Sequence, residues 1–363
     1  MKKNLKYLCL QATQEGQASY AHVHEIIKGL QKRNWHVELF EPYYANKNTL
    51  PGALFRLIAF VIIQIKLCSK LNKKDTIYIR SHFATFPIAF IAKIKKIPVI
   101  REVNGPYEDL FIAWPITRCF SKLFKCLCRI QFKWADVLIT VTPQLKEWLH
   151  KETGKRKICV VPNGANIDIF NPNAISNYKI SKPYVVFFGA LAVWQGIDTL
   201  LEAVNDFEWP DRLKLVIMGD GTERQKIEKA VLRNSNLIYL GKVPYKKVPG
   251  IIVNSIAGLS IQNNTDNRSS TGLSPLKLYE TLSCGVPIIV TDFPGQADFA
   301  SKYNCGLVIP PEDSKALVKA INYLYNNLEI RKEMGKRGYE AIKKEHSWDK
   351  RAEETDKILR QLL

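Results

Sequence analysis

The chain has 363 residues, 46% hydrophobic and 24% charged, enough for two domain-sized cores and ordinary for a soluble globular protein. Its eight cysteines are scattered with no CxxC pair, which argues against a zinc site and for free thiols in a reducing cytoplasm. The net charge of +19 is lopsided: residues 1–172 carry 27 Lys/Arg against 12 Asp/Glu (+15), residues 173–363 carry 26 against 22 (+4). An anionic partner, nucleic acid or an acidic membrane surface, is therefore expected for the first half only.

The start, MKKNLKYLCLQAT, has a basic front but too short an apolar segment for a signal peptide. Asn4–Gln11 reads as a first strand instead. No apolar run approaches the roughly 18 residues needed to span a bilayer. A loop with Gly16, an amphipathic helix over Tyr20–Lys32 and a strand over Trp35–Phe40 open a doubly wound domain. Gly16 fits either a close backbone approach to a ligand or a plain turn. His22 and His24 flank Val23, so one of them is expected to face solvent.

Leu54–Leu71 is apolar, with Arg56, Lys66 and Lys70 at its edges. Asp75–Arg80 is a short strand, Phe86–Lys96 a helix, and Ile97–Gly105 a strand running into a loop. Strand C-termini in such sheets face a crevice, which makes Glu102, Asn104 and Gly105 candidate site residues. The spacing predicts a helix over Thr117–Lys133, with Arg118, Lys122, Lys125, Arg129 and Lys133 on one face beside an apolar stripe. That pattern suits an anionic membrane surface, or else a solvated helix covering the sheet edge. A strand over Ala135–Val141, a helix over Pro143–His150 and the turn Asn163-Gly164 lead to a Pro/Asn-rich linker, Phe170–Pro183.

The second half repeats strand and helix, usually with glycine at the join. Tyr184–Gly189 is an apolar strand, and Trp194-Gln195-Gly196 precedes the helix Ile197–Asn205. Leu213–Met218 ends in Gly219-Asp220-Gly221 before a helix over Thr222–Leu232. Leu237–Gly241 and Ile256–Ile261 are further strands. Helices over Ala316–Asn326 and Ile330–Lys343 close this half, and the segment from Trp348 is expected to return to the first domain.

Within it, Asn267–Asp298 is the most informative stretch: a polar loop, a helix, a tight turn and a buried strand. Ser274 is expected as N-cap, with Pro275 at the first helical position. The helix Leu276–Ser283 should end at Gly285, and Ile288-Ile289-Val290 reads as a buried parallel strand. The helix N-terminus is a ready anion site. Glu280, about 1.5 turns in, would repel a phosphate and so suits hydroxyls such as those of a ribose.

The run Ser-Pro-Leu-Lys-Leu-Tyr-Glu (274–280), followed by Cys-Gly-Val-Pro-Ile-Ile-Val-Thr-Asp (284–292), resembles the donor signature of the retaining glycosyltransferases of the family 4 type. Val160–Asp168 resembles that family's segment closing the first domain. The resemblance implies the α/β GT-B fold, two Rossmann-like domains facing a central cleft. Residues 1–172 would bind acceptor, 173–345 would bind donor, and 346–363 would pack back on the first domain. It implies transfer, with retention, from a UDP- or GDP-linked sugar to a lipid-linked or oligosaccharide acceptor, without metal or other cofactor. The setting would be surface-polysaccharide biosynthesis on the inner face of the cell membrane, reached through Arg118, Lys122, Lys125 and Arg129.

Carried onto this chain, the resemblance implies donor contacts at Gly16, Gly189, Gln195, Gly219, Gly221, Val243, Ser274, Pro275, Leu276, Lys277 and Glu280. Glu280, Asn104 and Arg268 would be catalytic, with Glu102 and Gly105 on the acceptor side. Four positions depart from the family pattern. Gly272 stands where a first Glu is common, Ala190 and Gln195 where Arg and Lys hold the diphosphate, and Asn104 near a usual His. Arg268, from a loop, is the expected substitute cation; Lys277 is expected to snorkel over its helix. The alternatives are a nucleotide-sugar-binding homologue without transfer, an epimerase or phosphorylase of related fold, and a nucleic-acid binder. The last is disfavoured because the aromatics are not interleaved with the basic residues.

Overall fold

Strand segments such as Ile77–Ile79 and Val185–Phe187 are apolar on both faces, the pattern of parallel strands covered by helices on either side. The computed structural model describes residues 3–45, 47, 50–176, 178–265 and 268–362; Asn267 of the signature stretch and Asn177 of the expected linker lie outside these. The chain divides into two units, Met1–Pro162 with Asp349–Leu363, and Asn163–Trp348.

In the first unit the strands are β1 (Lys3–Leu8), β2 (Trp35–Phe40), β3 (Thr76–Arg80), β4 (Val99–Val103), β5 (Val137–Thr140) and β6 (Ile158–Val160). Its helices are α1 (Ala18–Lys32), α2 (Ala53–Ser69), α3 (Phe86–Lys95), α4 (Glu108–Ala113), α5 (Ser121–Trp134) and α6 (Pro143–Thr153). The sheet is parallel throughout, in the order β2-β1-β3-β4-β5-β6. Leu8, Ile77, Ile79, Val99 and Phe132 meet in its core.

In the second unit the strands are β7 (Tyr184–Ala190), β8 (Lys214–Asp220), β9 (Leu237–Tyr239), β10 (Gly258–Ser260), β11 (Ile288–Thr291) and β12 (Gly306–Ile309). Its helices are α7 (Ile197–Val204), α8 (Arg224–Val231), α9 (Val248–Ile252), α10 (Leu276–Ser283), α11 (Gln296–Lys302), α12 (Ser314–Asn326) and α13 (Leu328–Glu345). This sheet is also parallel, ordered β12-β11-β10-β7-β8-β9, so the strand order reverses between β7 and β10. Ligands of such sheets bind at the strand C-termini beside that reversal. The last helix, α14 (Trp348–Arg360), runs in the segment grouped with the first unit.

Several local expectations are corrected. The helix expected from Thr117 starts at Ser121; Pro115–Phe120 is a 3-10 turn, so Arg118 is off the helical stripe. Phe170, placed in a linker, is fully buried against Tyr184 and Val186 and belongs to the core of the second unit. Pro275 occupies the N-cap of α10 and Leu276 its first turn, and no side chain caps the helix. Neither histidine of α1 is fully exposed: His22 is buried, and His24 is half-buried with its ring on Tyr20.

Candidate functional site

In the second unit Gly189 and Gly219 pair just before the C-terminal ends of β7 and β8 and leave a floor without side chains there. Gly219 has φ +143°, and a Cβ on it would lie 1.8 Å from the Gly189 carbonyl oxygen, so only glycine lets these strand ends approach. Lys277 of α10 does not snorkel. It is buried, with its Nζ 3.7 Å from the Phe187 ring centre and 2.7 Å from Gln195 Oε1, to which it donates. A Cβ built on Gly189 would meet its Cε at 3.6 Å. Burial pushes this ammonium down to about 7, against the pull of nearby Glu280. A lysine from another element thus lies against Gly189 and Gln195, beside Ala190.

Glu280, one turn further along α10, is equally buried. Burial pushes its carboxyl up to about 7, opposed by a hydrogen bond from Tyr245 Oη at 2.9 Å and by Lys277. Val243, near the start of the Tyr245 loop, is half-buried against the same apolar cluster. Ser274, expected to cap the helix, instead lies 2.9 Å from Tyr279 Oη and accepts from the Asn163 backbone N–H at 3.2 Å. The Asn163 amide donates to the Ser274 carbonyl at 2.5 Å. Leu273 N–H donates to Pro294 O at 2.7 Å, so the loop before α10 is tied at both sides. Arg268 sits over the Trp194 ring at 5.2 Å, next to Gln195 in sequence. Gly221, at φ +156°, packs on the Leu191 carbonyl, and Gly272, at φ +84°, turns the loop.

In the first unit, Glu102 is not open to a ligand. It is 1% exposed and accepts from Tyr78 Oη (2.6 Å), Arg80 Nη1 (2.6 Å) and Asn104 Nδ2 (2.5 Å), with His22 Nε2 at 3.0 Å. Burial alone would raise its carboxyl, but His22 and Arg80 hold it well below the usual carboxylate range. Glu102 therefore orients its neighbours, while Asn104 and Gly105 line an adjoining cleft of about 360 Å3. Tyr44, Phe60, Phe83, Phe111, Trp114 and Phe124 supply much of its wall. Arg56 lies over the Trp114 ring at 4.4 Å. His82, on the same wall, is pushed down to about 4 by burial and then by Arg101 and Arg56. Arg101 is fully buried and, among the described residues, donates to the neutral oxygens Thr85 Oγ1 and Gln131 Oε1, both at 3.0 Å. Thr85 in turn donates to the His82 carbonyl. Gly16, in the turn before α1, is exposed at φ +87°.

The basic stripe of α5 is partly spent inside the protein. Lys125 pairs with Glu108 at 3.0 Å and Arg129 with Glu152 at 2.6 Å, whereas Lys122 is exposed. Sequence reasoning missed Tyr245, the anchoring role of Asn163, and Arg101. Only Arg101 left a signal, a cation inside the apolar run Pro98–Val103.

Comparison with known proteins agrees with this geometry. A family model described as Glycosyl transferases group 1 matches residues 172–341, and one described as Glycosyltransferase Family 4 matches residues 21–169. The chain is 26% identical over 347 residues to an uncharacterized glycosyltransferase of Methanocaldococcus jannaschii, covering 91% of this chain and 90% of that one. Among solved structures, a sucrose-phosphate synthase from Thermosynechococcus elongatus superposes with a TM-score of 0.81 at 16% identity, covering 99% of each chain. Anabaena HepE in complex with UDP-glucose superposes with a TM-score of 0.75 at 15% identity, again covering 99% of each.

Proposed function

The chain belongs to the glycosyltransferases of the family 4 type, with the GT-B fold, and we propose that it transfers a hexose, with retention, from a nucleotide sugar to a membrane-associated, lipid-linked or oligosaccharide acceptor. The observation that carries the donor half is the buried ammonium of Lys277 against Gly189 and Gln195. A diphosphate laid on the glycine floor would meet this charge and the N-terminal end of α10, where the Leu276 and Lys277 N–H groups lie. As the sugar leaves, negative charge grows on the diphosphate, and these fixed donors stabilise it without reorganising. Glu280, set by Tyr245, is the residue for ribose hydroxyls. Arg268 takes a second role, closing from its loop while Trp194 supports it.

The aromatic cleft beside Asn104 and Gly105 is the acceptor half of this reading. Its ring-lined wall suits an apolar or sugar-ring face, and Arg56, with Arg101 behind His82, favours an anionic group on the same molecule. Both features suit a lipid phosphate or diphosphate acceptor used in surface-polysaccharide assembly, with the enzyme on the inner face of the membrane. A thermal-shift panel of UDP- and GDP-sugars tests the donor half. A ligand at about a hundred times its Kd adds roughly 2.7 kcal/mol of stability. We expect one nucleotide class to raise Tm in the wild type and to raise it by about half as much, or less, in Lys277→Met. A wild type unmoved by the whole panel, and without turnover, overturns the reading.

A further inference from the structure

The geometry points to α2 as an in-plane membrane anchor whose outer face inserts among the acyl chains of an anionic leaflet. This helix is built inside out for water. Leu54, Phe55, Ile58, Val61, Ile62 and Ile65 form one continuous face and are 46–67% exposed. Its one uncharged polar residue before the C-terminal serine, Gln64, is instead buried. The Gln64 amide donates to the Phe60 and Ala84 carbonyls at 2.9 and 3.0 Å and accepts from the Ile88 backbone N–H at 3.3 Å. Those bonds, with Ala59, Phe60 and Leu67 packed inward, fix the rotation of the helix. The apolar face is held outward and cannot turn away from its surroundings. Phe90 and Ile94 on the neighbouring helix α3 are exposed as well, at 47 and 64%.

Charge selects the occupant. Between Glu41 and Glu102 the sequence has eleven Lys/Arg and a single acid, Asp75, which is buried. Lys66, Lys70, Lys93, Lys95 and Lys96 are exposed on α2, on α3 and just beyond them. Two copies of this face brought together would oppose like charges around a shared apolar patch, whereas anionic headgroups would neutralise them. At 17 residues, with one side packed on the protein, α2 is suited to lie in the interface plane, and no helix among the described residues is long and apolar enough to cross a membrane. Arg56 and Phe60 of the same helix line the aromatic cleft, so the anchor would bring that cleft to the headgroup layer.

The inference rests on the membrane-side acceptor reading above, but its test needs neither donor nor turnover, so each can fail alone. The full chain is co-sedimented with vesicles of phosphatidylcholine alone and with added phosphatidylglycerol, at about 0.1 and about 0.5 M salt. The wild type is expected to bind the acidic vesicles, with a fraction that persists at high salt because it is held by apolar insertion. Ile58→Gln/Ile62→Gln/Ile65→Gln should lose that fraction by tenfold or more, with an unchanged melting curve because all three side chains are already exposed. A Phe55→Trp probe should shift its emission to the blue on vesicles. A wild type that stays in the supernatant at low salt overturns the inference. So does a discrete solution dimer made monomeric by the triple variant, which assigns the face to a second copy. So does an acidic protein, seated on this face in the wild type, that the same substitutions release while vesicle binding stays intact.

Discussion

Lys277 carries two opposed demands, and they separate experimentally. Burial holds its ammonium at about 7, so the folded protein bears a penalty for this charge below that pH. The penalty is relieved as pH rises from 7 toward the ordinary 10.5, since the unfolded chain then keeps a proton that the folded one lacks. Lys277→Met is expected to raise Tm, most below neutrality, with the gain shrinking above it. The same substitution should weaken nucleotide binding by at least about tenfold, the scale of one charge-assisted contact. Calorimetric titration of the wild type adds a sign. If the proposed donor site is right and diphosphate binds the ammonium form, affinity should be full below pH 7 and fall about tenfold per pH unit above it. A binding curve flat from pH 6 to pH 9 would remove Lys277 from the donor site. Glu280 titrates in the opposite sense. Its carboxyl, raised to about 7, stabilises the fold at low pH and loses that contribution between 4.5 and 7. Glu280→Gln should therefore lower kcat/KM about tenfold above pH 7, where the native group is ionised, with a smaller effect in acid.

At the scale of elements, what was legible in the sequence is what is local. The limits of α10 were readable from Pro275 and Gly285, and β11 from its unbroken apolar run. The environment of α10 was not readable, because all eight of its residues are buried, Lys277 and Glu280 included. A helix enclosed on every side has no polar face, and its partners Gln195 and Tyr245 lie 82 and 35 residues away. β12 and α9 were missed because segments of four and five residues leave no period to detect. The α5 stripe was read correctly as basic but not as paired, since Glu108 and Glu152 arrive from other elements. Lys125→Gln and Arg129→Gln should each change stability by no more than about 1 kcal/mol, as exposed pairs do. Lys122→Gln should act on acidic vesicles without moving Tm. Asn163→Ala removes the amide that holds the Ser274 carbonyl and should raise the Kd for nucleotide severalfold, about 1 kcal/mol, while kcat changes little.

Across the whole molecule, the strand–helix alternation announced two doubly wound sheets, but the strand orders and the closing contacts of the chain depend on pairings no local pattern encodes. Helix α14 lies on α1 and β2. Trp35 Nε1 donates to Asp356 at 2.6 Å, and Arg33 grips Asp349 with two bonds of 3.0 and 2.9 Å. A Cβ on Gly29 would stand 2.2 Å from the Ala352 Cβ, so the two helices touch where neither has room for a larger side chain. Gly29→Val should displace α14 and destabilise the first unit by about 1–3 kcal/mol, read as an earlier melting transition and faster proteolysis of that unit alone. A single unshifted transition would show that the contact carries no stability.

That same closing contact sets an order of events during synthesis. Residues 163–348 form one uninterrupted unit, whereas the other unit needs segments from both sides of it. On the ribosome, residues 1–162 emerge first yet lack α14, leaving Trp35 and the Gly29 face uncovered until residues 349–362 follow. The unit translated second can therefore finish folding before the unit translated first, and a chain stalled before Asp349 would hold a finished half beside an open one.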